Sequence, residues 1–123
     1  MSKPTIAIIG ASADRSKFGN KAVRAYVQAG YDVYPIHPSA TEIEGLPVYR
    51  TVADLPVSRL DRASIYLAPA IGLKLLPELT KLPIDEIYLN PGADSPEVVA
   101  LAHELGLNAI QACSLIAAGF HGD

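Results

Sequence analysis

Apolar residues in this 123-residue chain alternate between short continuous runs and longer stripes at helical spacing. Thr5-Ile6-Ala7-Ile8-Ile9 is a largely β-branched run that ends at Gly10, the pattern of a strand buried on both faces of a parallel sheet. Over residues 18–29, Ala22, Val23, Tyr26 and Val27 share one helical face, and Gly30 stands where a helix C-cap belongs. Residues 31–36 read as a second strand; Pro35 and Pro38 end its pairing and leave His37 at its carboxyl tip. Residues 41–55, broken by Gly45 and Pro47, read as a surface excursion with one helical turn at 52–55.

The alternation then resumes. Residues 62–68 predict a third strand stopped by Pro69, and residues 71–82 a helix with a dense Ile/Leu face and a kink or late start at Pro77. A fourth strand over 86–89 ends at Asn90-Pro91-Gly92. Ser95 is a good N-cap for a helix over 96–105, with Pro96 at its first position and Glu97 complementing its dipole. Gly106 closes that helix, and residues 107–111 predict a fifth short strand leading to Cys113 and an apolar tail. Such a β-α-β succession predicts an α/β fold: a Rossmann-like three-layer sandwich around a mostly parallel five-stranded sheet with right-handed crossovers.

Composition narrows the function classes. Half the residues are hydrophobic and 19% charged, too apolar a mix for a disordered chain and enough for one domain spanning residues 1–123. With no Trp, only 2 Phe and 6 Tyr, the core must be built mainly from Ile, Leu, Val and Ala. Ten basic against 13 acidic residues give a net charge of −3, so nucleic acid is not an expected partner. No apolar run reaches the roughly 18 residues of a membrane span, and the N-terminus lacks a signal-peptide pattern. The single Cys cannot close an intramolecular disulfide, which fits a cytoplasmic setting.

Ligands of open parallel sheets bind beyond the carboxyl ends of the strands, which selects the loops beginning at Gly10, His37, Ala68, Asn90 and Ala112. The first of these, from Gly10 to Gly19, joins a buried strand to a helix whose free N–H groups can cradle an anion, with Arg15 and Lys17 adding charge. Its plain alternative is a simple connection, because Ser12 occupies the second glycine position of Gly-x-Gly-x-x-Gly. The second strand ends in His37-Pro38-Ser39 rather than the acidic residue that holds a ribose in NAD sites. His37, His103 and His121 have no second ligand at metal spacing, and the acidic residues fall mostly at the opposite edge of the sheet, so neither a metal site nor a general acid/base pair is indicated. Cys113 reads either as a small buried hydrophobe or as a thiol facing the crevice.

Taken in order, Gly10-Ala11-Ser12 with Lys17 and Gly19, then Gly30 to Pro38, Glu42 to Tyr49, Ala53-Asp54-Leu55-Pro56, Tyr88 to Ala93 and Leu105-Gly106-Leu107 resemble the CoA-binding domain family. This family includes domains similar to the N-terminal domain of the succinyl-CoA synthetase alpha subunit and of NDP-forming acyl-CoA synthetases. The resemblance implies non-catalytic binding of coenzyme A or an acyl-CoA. It places the pyrophosphate on the loop Gly10, Ala11 and Ser12 and on the helix N-terminus that follows, near Gly19, with Lys17 nearby; Arg15 is a candidate from the charge of the loop alone. The adenosine would lie near His37 and Pro38, and the pantetheine arm along Leu67, Ala68 and Pro69 and along Asn90, Pro91 and Gly92. The chain departs from the family where Ser39 replaces a common Lys or Arg, where Tyr88-Leu89-Asn90 replaces Trp-x-Gln, and where Gln111-Ala112-Cys113 replaces Asp-Arg-Cys. The synthetases that share this domain rely on a phosphorylated histidine in a second domain, for which 123 residues leave no room, so a binding module is expected rather than an enzyme. The competing readings are an NAD(P)-binding or thiol-linked redox protein using Cys113, and a scaffold that has kept the fold without the ligand. The protein partner is left open, and the apolar tail can pack on the domain or on a second copy as a homo-oligomer contact.

Overall fold

Strand β1 (Thr5–Ile9) is buried almost throughout because both faces of its sheet are covered. The computed structural model describes residues 3–119. After β1 come helix α1 (Phe18–Gln28), strand β2 (Asp32–Ile36), the short pair β3 (Glu42–Ile43) and β4 (Leu46–Pro47), a 3-10 turn at Val52–Asp54, and strand β5 (Leu60–Ile65). Then follow α2 (Pro69–Leu75), a 3-10 segment (Leu76–Lys81), β6 (Ile84–Leu89), α3 (Pro96–Glu104), β7 (Ala109–Gln111) and α4 (Ser114–Ala117). The main sheet has five strands in the order β2-β1-β5-β6-β7, all paired in parallel, so the fold is Rossmann-like. The strand order reverses between β1 and β5, the topological switch point at which such sheets open a crevice.

Alternation along each strand sorts the core into two layers. Ala7, Ile9, Ala63, Ile65, Ile87 and Leu89 pack against Leu76 and Leu79 of the 3-10 segment and Val98 and Ala102 of α3. Ile6, Ile8 and Val33 pack on the other side against Ala22, Val23 and Tyr26 of α1 and Leu115 of α4. The second face turns polar toward β5 and β6. There Arg62 lies over the rings of Tyr31 and Tyr88, pairs with Glu86 at 3.1 Å and donates to the Tyr26 hydroxyl at 3.1 Å.

Several boundaries differ from the sequence reading, and the causes are visible. Tyr31 and Leu107 belong to helix caps rather than strands: the Tyr31 N–H bonds to the Tyr26 carbonyl and the Leu107 N–H to the Ala102 carbonyl, each one residue past a left-handed glycine. The third strand of the sequence reading begins earlier, at Leu60, and stops at Ile65: the Tyr66 amide still bonds to the Ile9 carbonyl at 2.8 Å, but β1 turns away at Gly10 and the paired register ends at Ile65. Pro77 lacks an N–H, and the α-helix gives way to 3-10 geometry at Leu76. The surface excursion is a hairpin whose turn residues Glu44 and Gly45 both have positive φ.

Tyr26 is fully buried; its hydroxyl donates to the Ser114 carbonyl at 2.7 Å. Burial pushes this phenol from its ordinary 10.0 up to about 12, against the opposing influence of Arg62. The fold therefore favours the protonated form. That contribution is whole below pH 10 and should be lost as pH rises from 10 toward 12. Unfolding free energies measured across this window should fall with pH, and Tyr26→Phe should flatten the decline; equal slopes in the two proteins would contradict it.

Candidate functional site

A cleft of about 500 Å³ opens at the carboxyl edge of the sheet, at the switch point. Its floor is the β1–α1 loop, Gly10, Ala11 and Ser12, with Lys17, Phe18 and Gly19 from the start of α1. His37 and Pro38 bound it after β2, Tyr66, Leu67 and Ala68 after β5, and Pro91, Gly92 and Ala93 after β6.

The floor is rigid for reasons local to the sequence. Gly10 has φ +90, and a Cβ on it would lie 2.6 Å from the Tyr66 carbonyl oxygen. A Cβ on Gly19 would overlap the carbonyl oxygen of Gly10, so the helix start and the loop touch backbone to backbone. The amides of Gly10 and Ala11 both bond to the Ile36 carbonyl at 3.3 Å, fastening the loop to the end of β2. Asn20, fully buried, donates to the Ser12 carbonyl at 2.9 Å and to the Glu44 carboxylate at 3.1 Å, and accepts from Arg24 Nε at 2.8 Å. Asp14 accepts the amide and hydroxyl of Ser16, and these bonds hold its carboxyl below the usual range.

What this floor offers a ligand is mostly backbone. Among the described residues, the N–H groups of Ser12, Phe18 and Gly19 have no acceptor, and the Lys17 ammonium has no carboxylate partner. Free amides at a helix start, a positive helix dipole and an unpaired ammonium make a receptor for an anion. His37 contributes in a fixed orientation. Its Nδ1 accepts the amides of Ser39 and Ala40 at 3.1 and 2.9 Å, so its ring N–H is the one at Nε2.

Of the residues selected from sequence, Gly10, Ala11, Ser12, Lys17, Gly19, His37, Pro38, Ala68 and Gly92 line this cleft. Arg15, Pro69 and Asn90 do not. Arg15 pairs with Glu44 at 3.4 Å and lines a separate groove along α1. Pro69 is the first residue of α2, and Asn90 is buried beneath the cleft in a hydrogen-bonded network. The loop after β7, expected from Ala112 onward, is also missing from the lining. Cys113 there precedes α4 and packs half-buried on the α1 side of the sheet. Phe18, Tyr66 and Ala93 line the cleft although the sequence reading passed over them. Phe18 had a usable signal, as a large apolar residue directly after Lys17 at the helix start; Tyr66 was hidden because it read as mid-strand.

A Rossmann-like sheet with an anion-receptive loop at its switch point defines a class of small-molecule-binding α/β domains. Residues 4–119 match the CoA binding domain model, and the chain belongs to that family. A conserved hypothetical protein from Pyrococcus furiosus has a similar structure, with a TM-score of 0.83 and 29% identity, covering 93% of this chain and 98% of that one. The dinucleotide forming acetyl-coenzyme A synthetase 1 of Ca. Korarchaeum cryptofilum, solved with phosphate and ADP, superposes with a TM-score of 0.74 and 29% identity over 88% of this chain and 25% of its own. A trans-feruloyl-CoA synthase from an unknown prokaryotic organism is 39% identical over 54 residues, 42% of this chain and 8% of that protein. The chain thus corresponds to a small part of either synthetase. Among the described residues no helix is long and apolar enough to cross a membrane.

Proposed function

We propose that this protein binds coenzyme A or an acyl-CoA in the cleft at the carboxyl edge of its sheet, as a binding module. The observation that carries this reading is the unpaired set of donors at the cleft floor, the Ser12, Phe18 and Gly19 amides with Lys17, within a chain of the CoA binding domain family. The pyrophosphate would rest on these donors. Gly10 and Gly19 let the backbone come within reach of it, the adenosine would lie toward His37 and Pro38, and the pantetheine arm would run between Leu67-Ala68 and Pro91-Gly92. NAD fits less well, because the group presented at the end of β2 is a histidine fixed as a donor at Nε2 rather than a carboxylate that accepts from a ribose.

Calorimetric titration with CoA, acetyl-CoA, NAD and NADP tests the reading directly. Heat from CoA or acetyl-CoA and none from NAD upholds it; binding confined to NAD or NADP, or no binding at all, overturns it. Lys17→Ala should weaken CoA binding by about 1 to 3 kcal/mol through the lost charge-assisted phosphate contact. An unchanged affinity would remove Lys17 from the site.

A further inference from the structure

A second cation, Arg50, stands beside the cleft residue Pro38, and among the described residues no carboxylate pairs with it. The chain returns from β4 alongside β2, where the Tyr49 amide donates to the Pro35 carbonyl and the His37 amide to the Tyr49 carbonyl, both at 3.0 Å. That pairing delivers Arg50 to the turn after β2. Its Nη1 donates to the carbonyl of Pro38, a cleft residue, at 2.7 Å. Arg15, Arg59 and Arg62 each pair with a carboxylate, whereas among the described residues Arg50 makes no ion pair. A guanidinium carries five N–H donors in a rigid fork, and one bond to a carbonyl leaves most of them for an anion.

The turn that holds Arg50 is itself locked. His37 Nδ1 takes the amides of Ser39 and Ala40, and so the His37 Nε2–H and the Arg50 fork are two donors anchored on one four-residue turn. These two donors follow β2, whereas Lys17 and the Ser12, Phe18 and Gly19 amides belong to the β1–α1 loop and the start of α1. A ligand that gives an anion to each set of donors carries two separate anionic groups, as does a nucleotide with a pyrophosphate and a further phosphate. We infer that Arg50, with His37 beside it, is the specificity-determining residue for a phosphomonoester on the ribose of the bound nucleotide, at a distance from the pyrophosphate. The inference rests on the CoA reading and sharpens it, since CoA carries a 3′-phosphate that 3′-dephospho-CoA lacks.

The test is a cycle of two proteins and two ligands by calorimetry. The wild type should bind CoA about 10- to 100-fold more tightly than 3′-dephospho-CoA, the range of a hydrogen bond to a charged group. Arg50→Ala should lose that preference by weakening CoA alone, leaving dephospho-CoA as before, and Arg50→Lys, which keeps charge without the fork, should fall between. Arg50 is exposed, so the unfolding midpoint of Arg50→Ala should match the wild type. Equal wild-type affinity for the two ligands, or a preference that survives Arg50→Ala, overturns the role of Arg50 while leaving CoA binding in place. Failure of the wild type to bind either ligand overturns both readings.

Discussion

Gly10→Ala is expected to destabilise the protein by roughly 2 to 5 kcal/mol and to abolish ligand binding at the cleft. Two effects combine. The backbone at Gly10 has φ +90, a region that a Cβ penalises by about 1 to 2 kcal/mol. The added carbon would also lie 2.6 Å from the carbonyl oxygen and 2.9 Å from the carbonyl carbon of Tyr66, backbone atoms of the neighbouring chain segment that cannot rotate aside. Overpacking of this kind costs about 1 to 3 kcal/mol. Gly30 supplies an internal control, for it has the same φ of +90 and nothing within 4 Å of the position a Cβ would take. Gly30→Ala should therefore report the conformational part alone, and the difference between the two variants in urea unfolding should report the steric part. Equal costs for the two substitutions would mean that the close approach of the β1–α1 loop to Tyr66 adds nothing to the penalty at Gly10. Relief of the clash would move Gly10 away from Tyr66, and with it the Ser12 amide, which is why binding should fail even in the fraction that folds.

That close approach also marks where the sequence was legible and where it was not. β1, α1 and α3 could be read within a residue or two because strong local signals agree with the tertiary context: a buried β-branched run, and apolar stripes bounded by Gly30 or by Ser95 and Gly106. The family could be read as well, since its motifs lie on the loops at the carboxyl edge. What escaped was set by contacts distant in sequence. Tyr66 has the composition of a strand residue, yet it becomes cleft wall because β1 ends opposite Ile65. The donors of Asn20 are consumed by Ser12 and Glu44, which is invisible until the β3–β4 hairpin folds back on the loop. Arg50 acquires its position only because Tyr49 pairs beside β2. Helix α4 is four residues long with no side-chain cap, too short for any periodicity, and its place is fixed instead by a polar network.

Asn90 is the centre of that network, and Asn90→Ala is expected to cost about 3 to 5 kcal/mol of stability. The residue is 3% exposed. Its amide nitrogen donates to Ser64 Oγ at 2.8 Å and to the Ile65 carbonyl at 2.9 Å, and its oxygen accepts the Ser114 amide at 2.8 Å. Ser114 in turn joins its hydroxyl to Ser64 at 2.6 Å and to the Tyr66 hydroxyl at 2.8 Å, while its carbonyl receives Tyr26. Among the described residues no buried side-chain nitrogen or oxygen is left unpartnered. A complete network of this kind is vulnerable to the removal of one member, because the Ser114 amide would remain buried without its partner, at about 1 to 3 kcal/mol, while Ser64 Oγ and the Ile65 carbonyl would each lose a donor. Asn90→Asp should be at least as damaging, since it sets a carboxylate oxygen against the Ile65 carbonyl in place of a donor. The same substitution separates two roles for the residue. A side chain that only touched ligand would, when truncated, weaken CoA binding and leave urea unfolding unchanged. A side chain that holds α4 to the sheet would lower the unfolding midpoint in the absence of any ligand, and would weaken binding only through Tyr66, which reaches the cleft on one side and Ser114 on the other.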